Sequence, residues 1–136
     1  MKLLLDTNVV LDFVLNRVPC AGDARALFAK IERGRATGYL AGHTVTTLHY
    51  VSEKAIGGAP TSAAIADLLR LFEIVPVEKA DFYQALALPV GDSEDAVQMV
   101  CALKVGADYI ATRDERDFQN SMVPARSPGA VLALLQ

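Results

Sequence analysis

Residues 3–5 are three leucines in succession, and residue 6 is an aspartate, in the opening segment MKLLLDTNVVLDF. An unbroken apolar run this short, stopped by a polar triplet, predicts a strand over Lys2–Leu5 that is buried on both faces. Strands of that kind are typical of parallel sheets with helices on either side. The same feature raises a chemical question. A carboxylate at the tip of a buried strand is costly unless a cation or hydrogen-bond donors meet it. Asp6 therefore either caps a helix beginning near Val9 or holds a metal ion.

The rest of the chain alternates short strands with helices. TGYLA reads as a second strand, EIVPV as a third with Pro76 near its end or on an edge, and DYIAT as a fourth. A short fifth strand is expected near Met122–Ala125. Helices are expected over Val9–Leu15 and Ala24–Arg33, the latter capped by Asp23 and stopped by Gly34. Others run from His43 or Thr44 to Ile56, from Pro60-Thr61 through Phe72, over Asp81–Leu88, and from Asp92 or Ser93 to Gly106. Ser127-Pro128 is a cap followed by proline at the first helical position and opens a terminal helix. The alternation predicts an α/β fold, a three-layer sandwich around a central, mainly parallel sheet of four to five strands. With 136 residues and no repeat or linker, residues 1–136 read as one domain.

Composition narrows the function. No apolar run approaches the ~20 residues of a membrane span, and the leucine run is too short for the apolar core of a signal peptide. A cytoplasmic protein with no membrane partner is expected. Cys20 and Cys101 have no metal-binding spacing and read as free thiols. His43 and His49, six apart, do not share a helix face and are not joint ligands. The net charge of −3 argues against a classical nucleic-acid binder. Its distribution is uneven, however: Arg17, Arg25, Lys30, Arg33 and Arg35 crowd the first quarter, while Asp81–Asp117 is rich in acids. For any one of these charges, simple solvation on a helix surface is the alternative.

In folds of this class the functional crevice lies at the carboxyl ends of the strands. Asp6 follows the first strand, and Asp114 and Asp117 follow the fourth. Asp92 and Asp95 sit one turn apart at the start of the helix before it. Three distant segments thus deliver carboxylates to one edge. Carboxylates without a histidine or cysteine companion select hard cations. Each has a structural alternative: Asp92 with Asp95 resembles a capping pair, and Asp114 and Asp117 resemble turn and cap residues.

LLLDTNVVLDF followed by GDSEDAVQMVCALKVGADYIATRDERDF resembles the PIN domain, the nuclease fold of VapC-type toxins. The resemblance implies a divalent-metal-dependent ribonuclease, a VapC-like toxin of a toxin–antitoxin pair, using Mg²⁺ or Mn²⁺. By position, it implies Asp6, Asp95 and Asp114 as metal ligands and catalytic residues, with Asn8, Asp92, Thr112 and Asp117 supporting them. Arg113 and Arg116 would then contact the RNA backbone. A cognate antitoxin and a homodimer are also implied. One position departs from the family pattern: Thr47 stands where an acid is usual, and Glu53 lies nearly two turns further along that helix.

Two alternatives remain open on sequence. LLLDTN and GDSEDAVQM also resemble motifs of haloacid-dehalogenase-like phosphatases, whose acid/base aspartate would fall at Asn8. A non-catalytic PIN-like nucleic-acid-binding module is made credible by Thr47.

Overall fold

The computed structural model describes residues 1–136 and places the leucine run at the centre of the molecule. Leu3, Leu4 and Leu5 have no solvent exposure in β1 (Lys2–Leu5), the middle strand of five. On one side lie β2 (Thr37–Ala41) and then β3 (Glu73–Val75). On the other lie β4 (Tyr109–Ala111) and β5 (Ala125–Arg126). All pairings are parallel, in the order β3-β2-β1-β4-β5. The fifth strand is shorter and later than the expected Met122–Ala125. Pro124 has no N–H and contributes only its carbonyl, to Ile110, so the ladder begins at Ala125.

Seven helices cover the sheet: α1 (Thr7–Val14), α2 (Ala21–Glu32), α3 (Gly42–Ile56), α4 (Gly58–Leu71), α5 (Lys79–Ala87), α6 (Ser93–Val105) and α7 (Pro128–Leu134). Successive strand residues point to opposite faces, and the leucines divide accordingly. Leu3 and Leu5 pack with Val10, Leu27, Phe28, Leu68 and Val131, a core built by α1, α2, α4 and α7. Leu4 packs with Ala85, Val97, Cys101 and Ile110, a second core built by α5 and α6. The three-layer α/β sandwich is the observed architecture.

Helix starts differ from the expected ones by a few residues. The extended backbone of Asp6 lets α1 begin at Thr7. Asp23 falls inside the first turn of α2 and Cys20 stands at the cap. Gly57, at φ 86°, ends α3 and lets α4 start at Gly58, ahead of Pro60. Asp92 caps α6, Gly106 closes it at φ 66°, and Ser127 caps α7 before Pro128. Both cysteines are free. No helix is long and apolar enough to cross a membrane.

The chain winds outward from β1 to β3 and then returns to place β4 on the other flank of β1. The carboxyl ends of β1 and β4 therefore meet at the point where the winding reverses, where such sheets open a crevice.

Candidate active site

Register brings Leu5 opposite Ala111, so Asp6 and Thr112 emerge side by side, and the Asp6 amide donates to the Ala111 carbonyl at 2.9 Å. Asp6 occupies the N-cap position of α1, but its side chain caps nothing. Instead its carboxylate, 4% exposed, accepts Thr112 Oγ1 at 2.8 Å and Gln98 Nε2 at 3.1 Å. Gln98 also accepts the Thr7 amide at 3.2 Å, which fixes the orientation of its side-chain amide. The Thr112 hydroxyl in turn accepts the Asp114 amide at 3.0 Å. Burial raises the Asp6 pKa against the lowering effect of Thr112, Gln98 and the Asn8 backbone; the charge of Asp114 adds to the rise.

Asp92 serves as a helix cap and, like Asp95, borders the acidic cavity. The Asp92 carboxylate accepts the Asp95 amide at 3.0 Å and caps α6. The Asp95 carboxylate lines a cavity of about 200 Å³ together with Asp6, Asn8, Thr47, Glu94 and Gln98. Burial, then the charges of Asp92, Asp6, Asp117 and Glu94, push the Asp95 pKa up to about 7. Asp117 reaches this neighbourhood from a 3-10 turn, Glu115–Phe118, and lines an adjoining cleft with Asp92, Asp95, Arg116 and Asn120. Asp114 stands at the flank, exposed, where its charge acts on Asp6 and Asp12.

No three acidic, histidine or cysteine side chains converge at the range needed to hold a metal. The donor chemistry nevertheless fits a hard divalent cation. The cavity offers carboxylate oxygens from Asp6, at the end of β1, and from α6, with no thiolate or imidazole among its lining residues. Asp95 also sits in a field of four other carboxylates that a cation would relieve.

The two arginines differ. Arg113 faces the buried Asp12 (1% exposed) at 3.5 Å and donates to Cys20 Sγ at 3.7 Å. Arg17 approaches the same carboxylate at 3.8 Å. Arg116 forms no ion pair and borders the acidic cleft. Asp12 and Gln98 were not among the expected site residues. Asp12 reads as an ordinary polar helix position, and nothing adjacent to it in sequence names Arg113 as its partner. Gln98 did carry a signal: it is the one polar residue within the apolar run AVQMV.

A PIN domain profile matches residues 2–116. No curated protein matches the sequence. Among solved structures, VapBC2 from Rickettsia felis, bound to a DNA fragment from their promoter, is similar at a TM-score of 0.70 and 13% identity over 93% of this chain and 98% of that one. FitAcB from Neisseria gonorrhoeae is similar at 0.69 and 22% identity, over 93% and 98% of the two chains. VapC20 from Mycobacterium tuberculosis, a sarcin–ricin loop cleaving toxin, is similar at 0.66 and 15% identity over 79% and 86%. The shared fold extends over most of each chain, and the profile runs from the first strand into the turn after β4; the chain belongs to the PIN domain family.

Proposed function

We propose that this protein is a divalent-metal-dependent endoribonuclease, a toxin of the VapC kind acting with Mg²⁺ or Mn²⁺. One observation carries the reading: Asp6 and Asp95 meet in one cavity where the sheet's winding reverses, with Asp95 raised to about 7 by its acidic surroundings. Asp6, Asp95 and Asp114 would hold the ion. A divalent ion held by them would supply Lewis-acid chemistry, lowering the pKa of a water nucleophile and offsetting charge at phosphorus.

The chain's own residues prepare the site. Gln98 and Thr112 hold the Asp6 carboxylate in one orientation. Asn8 supports it through its backbone. Asp92 fixes the first turn of α6 and so the direction of Asp95. Asp117 adds negative charge beside Asp95. Arg116, unpaired at the cleft edge, is placed to receive a backbone phosphate. Arg113 serves mainly as the counter-charge of Asp12.

The sarcin–ricin loop cleaving activity named for the M. tuberculosis relative supports RNA as substrate. The VapBC2 and FitAcB relatives support an antitoxin partner; a homodimer acting in the cytoplasm belongs to the same proposal. The phosphatase alternative needs an acid/base at position 8, which is Asn8, inside the segment matched by the PIN profile.

The test is cleavage of single-stranded RNA, with matched single-stranded DNA alongside. Wild type is expected to cut RNA with Mn²⁺ or Mg²⁺ and to stop with EDTA. Asp6→Asn, checked for folding by circular dichroism, is expected to lose most of that activity. Equal cutting by both proteins overturns the assignment. Metal binding without cleavage of any nucleic acid favours the non-catalytic module.

A further inference from the structure

We infer that Arg126 forms, with Arg116, a phosphate-binding subsite that holds the RNA backbone on one side of the acidic crevice. This rests on the nuclease reading above and adds where the chain would grip its substrate. Carboxylates at the crevice repel a polyanion, so a strand laid across them needs cations beside them. Arg116 is the one cation bordering the cleft of Asp92, Asp95 and Asp117. The same residue also lines a second cleft, of about 460 Å³, between the turn Glu115–Phe118 and β5. Arg126 forms part of that second wall. The two clefts therefore adjoin at Arg116.

Arg126 is held in place from two sides. In β5 it stands opposite Ala111, and its guanidinium lies 5.7 Å from the centre of the Tyr109 ring, within cation–π range. It also donates to the Ala125 carbonyl at 2.8 Å. That bond uses one N–H and leaves the others free. Neither Arg126 nor Arg116 has a carboxylate within ion-pair range. The one acid in the second cleft is Glu115, and its Oε1 accepts the Ser127 amide at 3.0 Å, at the start of α7. Two unpaired guanidiniums thus face a single carboxylate that is already engaged. A guanidinium presents a planar fork of donors that matches phosphate oxygens. Resting one on an aromatic ring limits the freedom that binding would otherwise remove. The alternative is that Arg126 only covers the free edge of β5.

The experiment titrates a cleavage-resistant single-stranded RNA with Mn²⁺ at several salt concentrations. It compares wild type, Arg126→Gln, Arg126→Lys and Arg35→Ala. Arg35 is an exposed arginine just before β2, at the opposite ends of the strands. Glutamine can still donate to the Ala125 carbonyl but carries no charge. Arg126→Gln is expected to bind about three- to tenfold more weakly and to lower the slope of log affinity against log salt by ~0.7. Arg126→Lys is expected to keep the slope, and Arg35→Ala to match wild type. A second measurement needs no substitution: phenylglyoxal modification of wild type, read by mass spectrometry. Bound RNA is expected to protect Arg116 and Arg126 and to leave Arg35 equally reactive. If Arg126→Gln melts lower than wild type, this protection decides. A wild-type slope in a folded Arg126→Gln, or equal modification of Arg126 with and without RNA, overturns the inference and leaves the nuclease reading standing. Wild type that binds no RNA with Mn²⁺ overturns both.

Discussion

On the proposed function, Asp95 faces opposite demands with and without a cation. Its ordinary pKa is 3.8, and in the fold it stands at about 7, so the native state favours the protonated acid. That contribution to stability is fully present below 3.8 and is lost as pH rises through about 7. Asparagine does not titrate. In EDTA, Asp95→Asn is therefore expected to melt like wild type near pH 4 and higher than wild type above pH 7. With Mn²⁺ at the higher pH the proposed function predicts the reverse order, because binding to the native state stabilises only the protein that holds the ion. Thermal melts at two pH values, each with and without Mn²⁺, check both halves. A variant less stable in EDTA that gains as much from Mn²⁺ as wild type would make Asp95 a structural residue. At this scale the sequence exposes the acids, because a charge beside an apolar run has few neutral explanations. It does not expose their partners. Gln98 meets Asp6 only because α6 crosses the end of β1, and Asp12 meets Arg113 only because β4 lies beside β1.

Among the elements, β2 shows where packing departs from what a linear pattern carries. TGYLA is legible as a strand, and its bounds match those observed. The reason for Gly38 is not legible. A Cβ there would lie 2.5 Å from Phe72 Cε1 and 3.0 Å from Ile31 Cδ1. Phe72 stacks edge-on against Phe28 at 5.0 Å, and Phe28 against Phe13 at 4.4 Å, so the ring has little room to yield. Gly38→Ala is expected to cost ~1–3 kcal/mol, as overpacking of a filled core does. Urea unfolding should show a lower midpoint with an unchanged slope; an unchanged midpoint would mean that the ring swings aside freely. The same limit explains the shifted helix starts. Periodicity identifies α1, α2 and α4, but their first residues depend on backbone geometry at Asp6, Cys20 and Gly57.

Across the whole molecule, an acidic crevice in a protein of net charge −3 opposes an anionic ligand until a cation changes the local field. Arg116 is the free positive charge at its edge, and Arg113 is already engaged. With Mn²⁺ present, Arg116→Ala is expected to weaken binding of a cleavage-resistant single-stranded RNA and to reduce the slope of log affinity against log salt by ~0.7. Titrations at several salt concentrations measure this, and an unchanged slope would remove Arg116 from the phosphate path. The architecture was legible because alternating strands and helices admit few arrangements; the order β3-β2-β1-β4-β5 was not, since nothing local to a strand names its neighbour. That order also sets a timetable for synthesis. Asp6 leaves the ribosome early, while Gln98 and Thr112 follow 92 and 106 residues later. At cellular elongation rates the interval is roughly 5–20 s. Throughout it, β1 lacks its β4 neighbour and the aspartate lacks both of its clamps. On the proposed function, a nascent chain is thus chemically inert toward the messenger and ribosome producing it, and its capacity to cut arises only after residue 112 has been made and folded back beside residue 6.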